Sequence, residues 1–228
     1  MIKKIFISSC INEANKSAEN FESESQSQIY LNITIIDPEH DLVKSKKSAH
    51  EIQFSSAKSK VLYKISKFES LHNMSLAIET TIDIMDSKYQ SKAFLNFVLI
   101  EIKNGDLSQA KYWAKKIKDP NFQLNAFLEI AKDDPQHDLT QTRQIVQSID
   151  SKFLLKAFLN IAEVDPFHDF TEAILFAETL ENDKAKDKAF LEIIKTQVKY
   201  NLVEAKKTAK SIKTNIGKFR GFINDCGS

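Results

Sequence analysis

The chain has 228 residues, 42% of them hydrophobic and 28% charged, with 4 Gly, 4 Pro and 2 Cys. Average usage would supply about 27 Gly and Pro to a chain of this length; eight are too few for the turns of a sandwich, a barrel or a run of β-hairpins, and 16 Phe argue against disorder. With 32 basic against 31 acidic residues, no global field draws the protein to nucleic acid or an acidic membrane, and the class that remains is all-α.

Glycine occurs only at Gly105, Gly217, Gly221 and Gly227, which excludes a Walker loop, a dinucleotide GxGxxG turn and a GxSxG nucleophile elbow. Arg143 and Arg220 are the only arginines, so the bidentate fork that reads guanine and clamps phosphate is nearly absent. An AT-rich genome would write the same Lys-, Ile- and Phe-rich composition. Cys10 and Cys226 form no CxxC pair, which suits a reducing compartment. No apolar run reaches the length of about 18 residues that a membrane span requires. Ile7-Ser8-Ser9-Cys10 faintly resembles a lipoprotein cleavage box. Ile5-Phe6-Ile7 before it is far shorter than the roughly 7–15 apolar residues of a signal. The expected location is cytoplasmic, with export as an effector lacking a cleavable signal left open.

From the N-terminus, Ile11, Ala14, Ala18 and Phe21 predict a leftover helix at residues 9–24, within a remnant segment 9–28. A repeat follows. The string Ala-Phe-Leu begins at Ala93, Ala126, Ala157 and Ala189, with weaker copies at Ile29 and Val61 and a final one at Gly221. An apolar residue stands four positions later in each full unit, at Ile33, Ile65, Phe97, Ile130, Ile161 and Ile193. This predicts repeats 29–60, 61–92, 93–125, 126–156, 157–188 and 189–220, and a cap remnant at 221–228.

The second half of each unit carries an apolar residue followed at 3, 7 and 10 positions by small or apolar ones. The sets are Leu42, Ser45, Ala49, Ile52; Met74, Ala77, Thr81, Ile84; Leu107, Ala110, Ala114, Ile117; Leu139, Thr142, Val146, Ile149; Phe170, Ala173, Ala177, Leu180; and Leu202, Ala205, Ala209, Ile212. That spacing is one helical stripe, with small residues where a neighbouring helix approaches closely. Each unit is therefore two helices, A then B. Asp41, Asn73, Asp106, Asp138, Asp169 and Asn201 precede the B stripes as N-caps. Gln109, Gln141, Glu172 and Glu204 follow three residues on, as in capping boxes, and Pro120 after Asp119 opens an A helix.

A hairpin of about 32 residues cannot bury its stripe alone and must stack on its neighbours. The chain thus resembles the tetratricopeptide-repeat (TPR) superfamily, whose roughly 34-residue units are also helix-turn-helix. It lacks that family's Trp, Gly-Tyr and terminal Pro positions and is TPR-like. The resemblance implies an all-α, right-handed α-solenoid acting as a non-catalytic scaffold, with neither cofactor nor metal. The wording Lys-Ala-Phe-Leu-x-Ile with a following Asp-Pro-x-His-Asp also resembles divergent repeats in proteins of obligate intracellular bacteria.

Two sets of residues are candidate sites. In TPR-like solenoids the A helices line a concave groove. By that resemblance Lys60, Lys92, Lys156 and Lys188, each just before an expected A-helix start, with Asn96 and Asn160 four residues after Lys92 and Lys156, would clamp an acidic peptide. Duplication of a solvated lysine, with Lys188 and Glu192 as an i,i+4 pair, would leave the same pattern. The box Asp-Pro-x-His-Asp at 37–41, 134–138 and 165–169 holds metal-ligand and acid-base residue types. Helices pack about 8–10 Å apart, too far for one zinc to take both His137 and His168. The preferred reading is that proline stops helix A and aspartate caps helix B.

Units 157–188 and 189–220 carry opposite charge, which predicts ion pairs of Glu178 with Lys210 and Glu181 with Lys213. The expected partner is a protein or peptide, with self-association through the incomplete end repeats as the alternative and a histidine-aspartate enzyme as a third. Trp113 is expected in inter-repeat packing.

Overall fold

The computed structural model describes residues 22, 24, 25, 27–29, 32 and 42–212, and no strand occurs among them. The chain divides into two compact units, Met1–Phe122 and Gln123–Ser228. The first unit contains α1 (Val43–Glu51), α2 (Ser55–Glu69), α3 (Met74–Ile82), α4 (Ser87–Asn104) and α5 (Leu107–Lys116). The helix α6 (Pro120–Asp133) contains the division. The second unit continues with α7 (Thr140–Val146), α8 (Ser151–Val164), α9 (Thr171–Thr179), α10 (Asp183–Gln197), α11 (Leu202–Thr208) and a 3-10 turn, Ala209–Ser211. Helices pack on their sequence neighbours, α2 on α3, α4 on α5, α8 on α9 and α10 on α11, and also one helix further on, α2 on α4 and α8 on α10. This is compatible with a helical repeat.

The B stripes lie where their spacing puts them. Ser45, Ala49, Ala77, Thr81, Ala110, Ala114, Thr142 and Ala177 are fully buried, and Ala173 and Ala205 nearly so. In the first unit the Ser66 hydroxyl meets Thr81 Oγ1 at 2.6 Å, a contact of α2 with α3 that only small side chains permit. The fourth stripe residue departs from the expectation. Ile52, Ile117 and Leu180 are C-caps in extended conformation, each sending its N–H back to the stripe residue before it. They stay buried or partly buried, so the stripe survives although the helix has ended.

The A helices begin six residues before their Ala-Phe-Leu positions, at Ser55, Ser87, Pro120, Ser151 and Asp183. The repeat boundaries drawn at 60/61, 92/93, 125/126, 156/157 and 188/189 therefore cut through A helices. The physical reason is a second set of N-caps. Asp86 accepts from the N–H groups of Lys88 and Tyr89, Asp119 from Asn121 and Phe122, Asp150 from Lys152, and Asn182 from Ala185. The B-helix caps stand where expected, with Asn73 accepting from Leu76, Asp106 from Gln109, Asp138 from Thr140, and Asn201 from Val203 and Glu204. The Glu204 carboxylate takes Lys207 at 2.7 Å. Asp106→Ala is expected to cost about 1 kcal/mol in urea unfolding, and a change under about 0.3 kcal/mol would show the cap to be idle.

The first unit's core gathers Ala49, Ile52, Val61, Leu62, Ile65, Ile84 and Ala93. The same unit holds Phe97, fully buried, against Trp113, with ring centroids 5.4 Å apart at 70°. Trp113 is 6% exposed and also stacks on Phe94, so it is a packing residue, whereas its neighbour Tyr112 is 47% exposed. The second unit's core joins Ala162, Phe170, Ala173 and Ala177 to Phe190, Ile193, Ile194 and Ile212. No helix among the described residues is long and apolar enough to cross a membrane.

Candidate functional site

The residues expected to form the clamp sit at equivalent places in their helices, because each lysine is the sixth residue of its A helix. Lys60, Lys156 and Lys188 are exposed, and none has a carboxylate within 4 Å among the described residues. Lys92 is half-buried, its ammonium 5.2 Å from the centre of the Tyr89 ring. Asn96 donates to Ser70 Oγ at 2.8 Å, so packing uses it. Asn160 is partly buried on α8. Glu192 pairs with Lys195 at 3.1 Å, in place of the expected pair with Lys188.

The two Asp-Pro-x-His-Asp boxes of the second unit build one turn twice. Asp134 and Asp165 are buried at the ends of α6 and α8, and their Oδ1 atoms accept the N–H of Gln136 and Phe167 at 3.0 and 2.8 Å. His137 and His168 then adopt left-handed backbone with φ of 46° and 48°. Each ring places Nδ1 3.1–3.2 Å from a helix carbonyl, Ala131 or Ala162, and a carbonyl only accepts, so Nδ1 carries the proton. Gly105 takes the corresponding left-handed position in the first unit at φ 80°, where glycine has no strain. The histidines thus act as helix-end caps. No group of three or more His, Cys, Asp or Glu able to hold a metal occurs among the described residues. The box at 37–41 lies outside them, as do residues 9–21 and 213–228, which include the expected end remnants and Lys213.

Each unit also carries an ion pair that sequence reading missed. In the first, Lys46 Nζ lies 2.7 Å from Glu69 Oε1, in a pairing whose alignment falls short of a hydrogen bond, while Thr80 donates to Glu69 Oε2 at 2.6 Å. In the second, Arg143 Nη2 donates to Asp165 Oδ2 at 3.1 Å. Both cations stand four residues after a B-stripe start, Leu42 or Leu139, and both acids five before the next, Met74 or Phe170. The signal was in the sequence as a repeated opposite-charge register, hidden because one copy is Lys–Glu and the other Arg–Asp. The cross-hairpin pairs recorded in the second unit are Arg143–Asp165, Arg143–Glu172 and Lys199–Glu163, and the expected Glu178–Lys210 is not among them.

The turns of the second unit open a cleft of about 1050 Å³ lined by His137, Arg143, Asp165, His168, Gln197 and Tyr200, among others. The His168 and Tyr200 rings stack at 3.9 Å. Phe167, at the variable position of its box, is 91% exposed at the cleft. On the same wall the Thr171 hydroxyl donates to Asp169 Oδ1 at 2.6 Å and its N–H at 2.9 Å. These bonds hold the Asp169 carboxyl below its ordinary value, with a smaller pull from Arg143. A lowered folded pKa stabilises the fold above the ordinary carboxylate range, and that contribution is lost as pH falls through the lowered value. Thr171→Ala is expected to move the Asp169 midpoint upward in an NMR titration, and the loss of stability then begins at higher pH. A midpoint that stays put would contradict the assignment.

No protein-family model, curated protein or solved structure matches this chain.

Proposed function

We propose that the protein is a non-catalytic binding scaffold, a right-handed TPR-like α-solenoid whose A helices hold an acidic or extended segment of a partner protein. The observation that supports this most is the contrast between two classes of lysine. Lys132, Lys195, Lys199 and Lys207 pair with Glu129, Glu192, Glu163 and Glu204 at 2.6–3.1 Å. Lys60, Lys156 and Lys188, at the recurring sixth position, are exposed with no such partner among the described residues. An unpaired ammonium repeated at one register supplies charge that an acidic peptide would neutralise. The test is capture from native lysate with the intact protein and with a Lys60→Glu, Lys92→Glu, Lys156→Glu, Lys188→Glu variant, followed by mass spectrometry. Partners lost from the variant and released by salt are expected. The same partners on both proteins would overturn the reading.

A further inference from the structure

The sixth position of the A helices, where the lysines stand, is not uniform. In the first unit the Lys92 ammonium lies over the Tyr89 ring, and Lys60 is left unpaired among the described residues. In the second unit the position reads Asn125 in α6, Lys156 in α8 and Lys188 in α10. Lys156 and Lys188 are both exposed and unpaired among the described residues, and α8 packs on α10. Two free ammoniums thus stand at equivalent places on adjoining helices, whose axes pack about 8–10 Å apart.

The surface beside Lys156 is electrically neutral. Asn125 and Asn160, the latter one turn after Lys156, line a second cleft of the second unit, of about 560 Å³. Both carboxylates of its lining are compensated, Glu129 by Lys132 at 2.6 Å and Glu163 by Lys199 at 2.9 Å. The two amides have no hydrogen-bond partner among the described residues. An acid entering this cleft would meet two carboxylates and no free cation, whereas an uncharged residue finds amides that both donate and accept.

An extended chain advances about 3.3 Å per residue and turns alternate side chains to the same face. Adjacent acids therefore cannot both face the two lysines, and neither can acids three apart. Acids two apart share a face and stand about 6.6 Å from each other, a span that two flexible lysine stems can match. We infer that the segment held by the second unit carries two acidic side chains two residues apart, one at Lys156 and one at Lys188, with an uncharged residue beyond Lys156 in the asparagine cleft. This rests on the reading that the A helices hold a partner's segment, and it specifies which segment.

The test is an NMR titration of the full chain at low salt with three peptides of one composition, acetyl-Ser-Ser-Glu-Ser-Glu-Ser-Ser-amide and its isomers with the glutamates adjacent or three apart. The first is expected to bind about threefold tighter than either isomer, because it alone engages both ammoniums. Lys156→Gln or Lys188→Gln is expected to remove that preference, and Lys60→Gln to leave it intact. A third glutamate two residues beyond the pair is expected to add less than about twofold to the intact protein and about threefold to Asn125→Lys, which extends the lysine register. Equal binding of the three isomers, or a preference that persists in Lys156→Gln, would overturn this inference and leave the acidic-segment reading standing. No binding by any of the three would overturn both.

Discussion

Phe97→Ala is expected to lower stability by about 3–5 kcal/mol in urea unfolding, the largest effect of any single truncation in the first unit. Phe97 is fully buried and meets Phe94 edge-on at 6.0 Å as well as Trp113 at 5.4 Å. Removing it takes away both ring contacts and leaves a cavity between α4 and α5. The rigid neighbours cannot collapse into that space, because Ala110 and Ala114 hold the two helices close with no side-chain length to spare. Tyr112→Ala, one residue from Trp113 but half exposed, should cost under about 1 kcal/mol. A loss below about 1 kcal/mol for Phe97→Ala would mean that α4 and α5 do not pack as described.

Lys46→Met is expected to cost about 3 kcal/mol, more than removing an ordinary surface lysine by several fold. The Glu69 side chain is 1% exposed, so without Lys46 its carboxylate is left buried with only the Thr80 hydroxyl. The pair also joins three helices, α1 through Lys46, α2 through Glu69 and α3 through Thr80. The double variant Lys46→Met, Glu69→Leu should regain most of the loss, because replacing both charges removes the uncompensated one. A double variant as unstable as Lys46→Met alone would show that packing, not the stranded charge, sets the cost.

The sequence carried the helical class, the B stripes and their caps clearly, since periodicity and capping are local and each small stripe residue has one geometric use. It misplaced the A-helix starts by six residues because Ala-Phe-Leu marks the buried middle of each helix. The start is marked by Asp86, Asp119, Asp150 and Asn182, whose capping role shows only in which N–H groups they accept. The Asp-Pro-x-His-Asp boxes were legible as stops and caps. The left-handed backbone of His137 and His168 was not, because positive φ is uncommon for any residue but glycine, even for histidine, which adopts it more often than most.

The proposed binding of an acidic segment rests on the unpaired lysines of the A helices. A titration of the chain with a glutamate-rich peptide, followed on backbone amides by NMR, tests it most directly. Shifts are expected to gather at Lys60, Lys156, Lys188 and their helix neighbours, and to vanish near 1 M salt, where screening reaches about 3 Å. Shifts scattered over the surface, or binding that survives that salt, would contradict it.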